Sequence, residues 1–535
     1  MKKITKLYMC LLGSMFLGAG CNDFLKEDSG DLLIPGKVEE YAPMLYKEGY
    51  PMDFYNEVAW FNLMTDDVEM GHLELDPEDE EYENWEKSTK NFSDFTTMVD
   101  GGEVYQWKDR FDGHSDRFWE SRYQNILACN TVIDALPQME YVKADSGKYH
   151  FLASQAYALR AYYYWCLVNT YALPWTAGNL EKPGVVVRTQ PQIDISARRR
   201  STIGEVYRLI NEDIAEAEKH GNVAAFDGNI HRISPTAVLL LASRIALFQE
   251  NWDEVIRTGE LFLEQNPAVL DLNAQKAEAL GEDSDEKGFA IMSRGNKEVV
   301  FTFGGKTSTY HYGNLSNSAY WGGLGFRTSH SVEGALTEAY EEGDLRKKAY
   351  FKQDIPAKEG ENWWDPSTPY TYKYYYPVKY RGIPRDGAEK PAEKLLHENW
   401  RSVEVLLNVA EAYTRKYNAV TNEALSLLNR LLRCRWEKSV FVEKTAADFG
   451  SGDALVKFIW EERRRELCFE EAMRFWDLKR QGMPELKHRW YSSWDAFETY
   501  TLKEGSPNYV LPIPRSELDY NGGCTDNARE LILPE

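Results

Sequence analysis

Several short segments carry residue types that could bind a phosphate or a metal ion, and each lacks a residue that the chemistry requires. Gly304-Gly305-Lys306-Thr307 follows an apolar run, as a phosphate-binding loop would, but Val300 stands where that motif needs its first glycine. His397-Glu398 begins a helical zinc motif, but position 401 is Arg401 instead of the second histidine. The seven cysteines include no C-x-x-C pair, so a zinc site built from paired thiolates is not expected.

Acidic residues are numerous enough that their spacing has to be tested for calcium binding and for acid–base catalysis. Asp283 and Asp285 fit half of a calcium loop, but Lys287 and Arg294 occupy positions that would have to supply oxygen ligands. The adjacent pair Asp66-Asp67 does not by itself place two carboxyls on opposite sides of a glycosidic bond. None of these motifs therefore predicts a catalytic site, and no cofactor is expected. A structural calcium ion stays open, and a hydrolase is an alternative.

The composition argues against one class of partner and favours surfaces rich in aromatic rings. The 535 residues include 62 basic and 85 acidic side chains, a net charge of −23, whereas a nucleic-acid binder needs a basic face. The chain also has 16 Trp and 33 Tyr. These side chains combine an apolar ring with a polar atom and suit half-wet surfaces and interfaces.

The first residues have the pattern of an export signal. Lys2, Lys3 and Lys6 precede an apolar run over residues 7–17 that is too short to span a bilayer. The run ends in small residues before Cys21, which resembles a bacterial lipoprotein signal whose cysteine becomes lipidated. We predict that residues 1–20 are a signal peptide and that lipid on Cys21 anchors the chain. An ordinary cleaved signal is the alternative.

Apolar residues at helical spacing predict paired helices over most of the chain. The predicted segments are 117–139, 148–171, a helix capped by Ser201-Thr202, a hairpin over 235–267, a second pair over 402–435 and a long helix over 453–480. The hairpin has small residues where its helices would cross and a closing proline, as a tetratricopeptide unit has. No fixed period relates the pairs, so we predict a degenerate helical array.

Two long stretches lack this helical pattern. Residues 50–115 are partly acidic, and residues 268–400 are rich in Gly, Pro and Tyr and include a predicted strand, Glu298–Phe303. Long loops on a rigid scaffold are commonly functional. We expect one domain over 21–535, with the helical array at about 21–49, 116–267 and 401–535 and the loop-rich regions between them.

Four separated segments together resemble the SusD/RagB family of Bacteroidetes outer-membrane lipoproteins. They are Arg160–Pro174, Glu411–Arg435, Glu462–Arg480 and Leu511–Asn521. Ala172 and Ala472 stand where the family usually carries glycine. Asn22–Asp28, just after Cys21, resembles the surface-export tag of such lipoproteins. The resemblance implies a mainly α, tetratricopeptide-like superhelix whose loop-rich, partly β insertions form the ligand face.

One face of the predicted long helix carries a row of charged side chains. Glu466, Glu470 and Arg474 are spaced by four residues, so they would lie one above another between apolar neighbours. We interpret the row as a partly buried charge network that fixes the register of the helix, and not as a ligand site.

The family resemblance implies a non-catalytic, surface-exposed protein that binds an oligo- or polysaccharide. Its expected partner is a SusC-like TonB-dependent transporter in the same outer membrane, with the lipid-anchored chain facing the exterior and binding no nucleic acid. Sugar rings stack on aromatic side chains, so aromatic residues in the loop-rich regions are the candidates. The candidates are Trp321, Trp363, Trp364, Tyr310, Tyr312, Tyr320, Trp85 and Trp107. The alternative is a helical-repeat interaction scaffold or a peptide-binding relative without affinity for glycans.

Overall fold

Antiparallel helix pairs account for most of the structure. The computed structural model describes residues 36–52, 58–70, 101–192, 196–274, 295–304, 326–330, 332–354, 374–377, 379, 398–492 and 496–535. Its α-helices are α1 (Val38–Met44), α2 (Gly102–Tyr105), α3 (Asp112–Ala135), α4 (Ser146–Tyr171), α5 (Ile203–Gly221), α6 (Pro235–Phe248), α7 (Trp252–Gln265), α8 (Leu345–Tyr350), α9 (Ser402–Tyr417), α10 (Asn422–Arg435), α11 (Gly452–Leu467), α12 (Met473–Arg480) and α13 (Arg515–Tyr520).

Local capping signals fix where several of these helices begin. The hydroxyl of Thr202 accepts the N–H of Glu205, whose carboxylate accepts the N–H of Thr202 in return, so α5 begins with a capping box. The side chains of Ser234 and Asn251 cap α6 and α7 by accepting the N–H of Ala237 and of Glu254, without the reciprocal bond of a capping box. The predicted helices over 117–139 and 148–171, the start of α5 and both predicted helix pairs are confirmed.

The helices pack as neighbours in chain order around the nearly fully buried helix α4. α3 and α5 both lie against α4, α6 packs on α7, and α7 packs on α9. Tyr162, Tyr163 and Tyr164 of α4 are fully buried. A second, smaller apolar cluster joins α9, α10 and α11. Aromatic residues in the helical array therefore serve mainly as core.

The predicted long helix over 453–480 is wrong as a single element. α11 ends at Leu467 and α12 begins at Met473, because Phe469 and Glu471 between them adopt left-handed backbone angles, with φ of 60° and 48°. The N–H of Glu471 donates to the carboxylate of Glu398 at 3.0 Å, and this hydrogen bond to a residue far away in the sequence stabilises the break between the two helices. Glu466, Glu470 and Arg474 therefore do not share one helical face.

Among the described residues, the strands form four separate two-stranded antiparallel sheets. They are β1 (Val68–Met70) with β3 (Phe326–Thr328), β2 (Val299–Phe303) with β6 (Glu398–Arg401), β4 (Phe351–Asp354) with β5 (Tyr374–Pro377), and β7 (Leu486–Tyr491) with β8 (Phe497–Leu502). The strand predicted over Glu298–Phe303 is confirmed as β2. Pairing of β2 with β6 closes the loop-rich region, since Phe303 lies opposite Glu398.

The five cysteines in the described part of the chain are not joined in disulfides. Cys129, Cys166 and Cys468 are buried, and Cys434 and Cys524 are half-buried. Burial raises the pKa of the Cys468 thiol to about 11, with smaller opposing effects from its neighbours, so this side chain behaves as a small apolar residue.

Candidate functional site

The aromatic side chains predicted to contact a ligand fall into two groups in the structure. Trp107 is described, and the other seven candidates lie outside the described residues: Trp321, Trp363, Trp364, Tyr310, Tyr312, Tyr320 and Trp85. Cys21 and the predicted signal peptide also lie outside them.

Trp107 belongs to the core, which corrects its prediction as a ligand contact. Its side chain is fully buried, and its Nε1 donates to the carbonyl oxygen of Met64 at 3.2 Å. One ring face stacks on the imidazole of His488, with the ring centroids 4.0 Å apart. The position of a residue in a loop-rich segment does not show whether its side chain is buried, and the side chain of Trp107 is directed into the core.

The structure brings together the chain segments that flank the remaining candidates. In the pairing of β1 with β3, Met70 lies directly opposite Phe326. Met70 is the last described residue before residues 71–100, and Phe326 is the first described residue after residues 305–325. Residues 71–100, which contain Trp85, therefore start beside the point where residues 305–325 end.

The β4–β5 pair adds a third segment to the same place. Asp354 lies opposite Tyr374, so this pair closes residues 355–373, which contain Trp363 and Trp364. β5 lies beside β3, and the ring of Tyr375 is 4.7 Å from that of His330. We call β1, β3, β4 and β5 the loop base. All seven remaining candidates belong to the three segments that start or end at the loop base.

Arginines of the α11–α12 region hold the β1 side of the loop base. Both guanidinium nitrogens Nε and Nη2 of Arg474 donate to the Asp66 carboxylate at 2.7 Å, and Nε of Arg464 donates to Asp67 at 2.7 Å. Burial alone would raise the pKa of Asp66, but the charges of Arg464 and Arg474 outweigh it and hold that pKa well below the usual value. The acidic pair considered for catalysis is therefore engaged in structural ion pairs.

A buried pair joins the two strands of the loop base directly. Arg327 of β3 donates from Nε to the carboxylate of Glu69 of β1 at 2.7 Å, and each side chain is 5% exposed. The second carboxylate oxygen of Glu69 accepts the N–H of His330 at 3.0 Å. Charge-assisted hydrogen bonds of this kind fix the register of two short strands.

A second charge network holds the ends of the loop-rich region 268–400 against the α11–α12 break. Arg401, which ends β6, contacts both Glu466 and Glu470, and it also reaches Glu298, which precedes β2. Lys379 places its Nζ 2.5 Å from the Glu470 carboxylate. The interpretation of Glu466 and Glu470 as a buried charge network is confirmed, although the partners come from distant strands and not from one helix.

Sequence reasoning missed the acceptors and donors that complete these networks. Arg464 and Arg474 lie in the segment Glu462–Arg480 that carried the family resemblance, but their partners Asp66 and Asp67 are about 400 positions away. A usable signal was present in the excess of arginines in that segment. Buried arginines require acidic partners, although nothing local says which ones.

Two further observations concern the described part of the chain. Among the residues that the structure describes, no group of three or more His, Cys, Asp or Glu side chains is placed to hold a metal ion. Within the same residues, none of the helices combines the length and the apolar character needed to cross a bilayer.

Comparison with known proteins identifies the family. A model for "Starch-binding associating with outer membrane" (SusD-like) matches residues 50–247, and the SusD family model matches residues 301–529. The chain belongs to the SusD family. This SusD-family chain is also 25% identical over 442 residues to SusD-like protein P2 of Formosa agariphila, covering 78% of this chain and 80% of the relative.

Solved structures of the SusD superfamily share the fold of this chain. A SusD superfamily protein from Bacteroides thetaiotaomicron has a TM-score of 0.66 at 17% identity, with coverage of 92% of this chain and 100% of that one. A SusD-like carbohydrate binding protein from Bacteroides vulgatus has a TM-score of 0.61 at 19% identity, with coverage of 93% and 99%. The mainly helical, tetratricopeptide-like fold predicted from the sequence is therefore confirmed.

Proposed function

We propose that this SusD-family chain is a non-catalytic lipoprotein of the outer membrane that binds an oligo- or polysaccharide at the cell exterior. The bound glycan would pass to a SusC-like TonB-dependent transporter in the same membrane, and lipid on Cys21 would tether the chain beside it. The observation that carries the proposal is the loop base, which brings together described residues that flank three segments rich in aromatic residues.

Covalent geometry links the candidate aromatic residues to the loop base. Trp321 precedes Phe326 by five residues, which limits the distance between their Cα atoms to about 18 Å, because an extended chain spans at most ~3.6 Å per residue. Trp363 and Trp364 belong to a segment of 19 residues closed by Asp354 and Tyr374. Rings from separate segments can therefore meet on one ligand, as glycan stacking requires.

The loop base is a rigid support, and a rigid support favours ligand binding more than an adaptable surface does. Asp66, Glu69 and Arg327 are each fixed by at least one charge-assisted hydrogen bond. A site on a fixed support loses less conformational entropy when a ligand binds. A carbohydrate-binding relative of the same fold, the protein from Bacteroides vulgatus, adds support by similarity.

The test is a glycan array probed with the full-length chain in detergent, followed by calorimetry on the best ligand. We expect Trp321→Ala to weaken the affinity by about 2- to 10-fold, because one stacked aromatic contact is worth ~0.5–1.5 kcal/mol. Tyr520→Ala is the matched control, since this tyrosine is 89% exposed on α13 and should leave the affinity unchanged. No binding to any polysaccharide would favour the scaffold or peptide-binding alternative.

Two further measurements separate the remaining parts of the proposal. Incubation with the bound glycan should release no new reducing ends, and their appearance would support a hydrolase instead. Cys21→Ala should move the chain from the membrane fraction to the soluble fraction. Retention of this variant in the membrane would contradict lipid anchoring without affecting the glycan result.

A further inference from the structure

Two histidines of neighbouring helices face each other at the surface, far along the chain from the loop base. His150 lies near the start of α4 and His220 near the end of α5. Their Nδ1 atoms are 2.8 Å apart, and the ring centroids are 5.0 Å apart with an angle of 39° between the planes. A contact between two ring nitrogens requires at least one lone pair, so both rings cannot be protonated while it persists.

Aromatic neighbours hold both rings in place. The edge of Tyr149 meets His150 at 5.3 Å between centroids, and Tyr157 stacks against His220 at 6.1 Å. The side chain of His220 is 12% exposed. The two Nδ1 atoms are therefore held close together in a partly buried pair.

A carboxylate one turn earlier on α5 lies near the other ring nitrogen of His220. Glu216 places Oε2 3.8 Å from Nε2 of His220. Histidines that bind metals commonly carry such a carboxylate at the other ring nitrogen.

We propose that His150 and His220 together bind one divalent transition-metal ion through their Nδ1 atoms, with Cu²⁺ preferred and water completing the coordination. Two nitrogens at ~2.1 Å from a metal lie about 3.0 Å apart at a right angle and about 3.4 Å apart in a tetrahedron. The separation of 2.8 Å is nearer to the right angle. Tetragonal nitrogen–oxygen coordination is typical of Cu²⁺ and Ni²⁺, and Cu²⁺ binds more tightly of the two.

This site is distinct from the proposed glycan site in its residues and in its chemistry. It lies where α4 and α5 meet, whereas the loop base is built from β1, β3, β4 and β5. Loss of glycan binding and loss of metal binding are therefore separable results.

The experiment is a titration of CuSO₄ into the full-length chain, purified in detergent without a polyhistidine tag. We expect one Cu²⁺ per chain by calorimetry and an electron paramagnetic resonance spectrum with two imidazole nitrogens. His150→Gln and His220→Gln should each weaken binding at least tenfold and leave one imidazole nitrogen in the spectrum. His231→Gln, a histidine outside the pair, should match the unsubstituted chain.

Two outcomes would overturn the proposal. Equal Cu²⁺ affinity in the unsubstituted chain and in both glutamine variants would assign the metal to another place. A spectrum of the unsubstituted chain without imidazole nitrogen would do so even if a variant failed to fold. In either case the pair would be only a hydrogen bond between two neutral rings.

Discussion

The guanidinium of Arg401 lies 3.0 Å from the carboxylate of Glu466, and neither side chain is exposed to solvent. The contact ties the last residue of β6 to the last turn of α11, which are 65 positions apart in the chain. Arg435 of α10 approaches the same carboxylate at 2.9 Å. Three elements of the fold therefore meet at one buried anion, and its partners cannot be removed singly without leaving charge unpaired.

Arg401→Met should lower the free energy of unfolding by about 3–5 kcal/mol, because it leaves Glu466 and Glu470 buried with fewer cationic partners. The measurement is chemical denaturation followed by circular dichroism. The control is Arg433→Met, which removes an ion pair with Glu443 whose side chains are 53% and 58% exposed. That variant should change the free energy of unfolding by about 0–1 kcal/mol. Equal losses would show that burial of the network is unimportant.

Acid should weaken the fold through the same carboxylate. Burial alone would raise the pKa of Glu466, but Arg435 and Arg401 hold it well below 4.5. A carboxyl with a lowered pKa in the folded state stabilises fully above its unfolded pKa, and this stabilisation is lost as the pH falls through the folded pKa. We expect the free energy of unfolding to decline below about pH 4.5.

Glu466→Gln isolates the contribution of this group. The variant should be less stable at pH 7, and its free energy of unfolding should fall less steeply with acid than that of the unsubstituted chain. Denaturant titrations at several pH values between neutral pH and pH 3 give the slope of the free energy of unfolding against pH for the variant and for the unsubstituted chain. Identical slopes would mean that other carboxyls account for all of the acid sensitivity.

Trp107→Ala should lower the stability of the fold, because the indole fills a fully buried position against His488. Removal of a buried aromatic side chain costs about 3–5 kcal/mol. Thermal unfolding should shift strongly downward for Trp107→Ala and little for Tyr520→Ala, whose ring is exposed. A small shift for Trp107→Ala would place this residue outside the core.

What could be predicted from the sequence depended on whether the determinant was local. The capping box of Thr202 and Glu205 lies within four residues, and the start of α5 was predicted correctly. The break between α11 and α12 depends on Glu471 meeting Glu398, 73 positions away, in a segment with neither Gly nor Pro to signal it. Trp107 was misassigned for a related reason, because loop composition does not reveal which ring turns inward.

The same distinction between local and long-range determinants applies to the candidate site. Aromatic enrichment of the loop-rich regions could be read directly, and so could the order of the segments. Their convergence could not, because it depends on the pairing of Met70 with Phe326 and of Asp354 with Tyr374. Strand pairs of three or four residues carry too little pattern to be matched across 250 positions.

The crossing of α7 and α9 offers a sharp test of the predicted tetratricopeptide-like packing, since one glycine sets how closely the two helices approach. A Cβ atom added to Gly259 would lie 2.1 Å from Cγ2 of Val409 and 3.3 Å from Cγ1 of Val405. Gly259→Leu should therefore force α7 away from α9 and lower the free energy of unfolding by about 1–3 kcal/mol or more.

Gly450→Ala is the matched control for Gly259→Leu, because nothing lies within 4 Å of the Cβ that it adds. Its free energy of unfolding should stay within about 1 kcal/mol of that of the unsubstituted chain, with a small gain from the less flexible unfolded state. Denaturant unfolding compares the two variants under one condition. Because Gly259 and Val409 lie on α7 and α9 and not on the strands of the loop base, Gly259→Leu should separate the two helices without disturbing the loop base, and glycan affinity measured on the folded fraction should be retained. If the glycan affinity instead fell together with stability, the helical array and the loop base would have to be mechanically coupled.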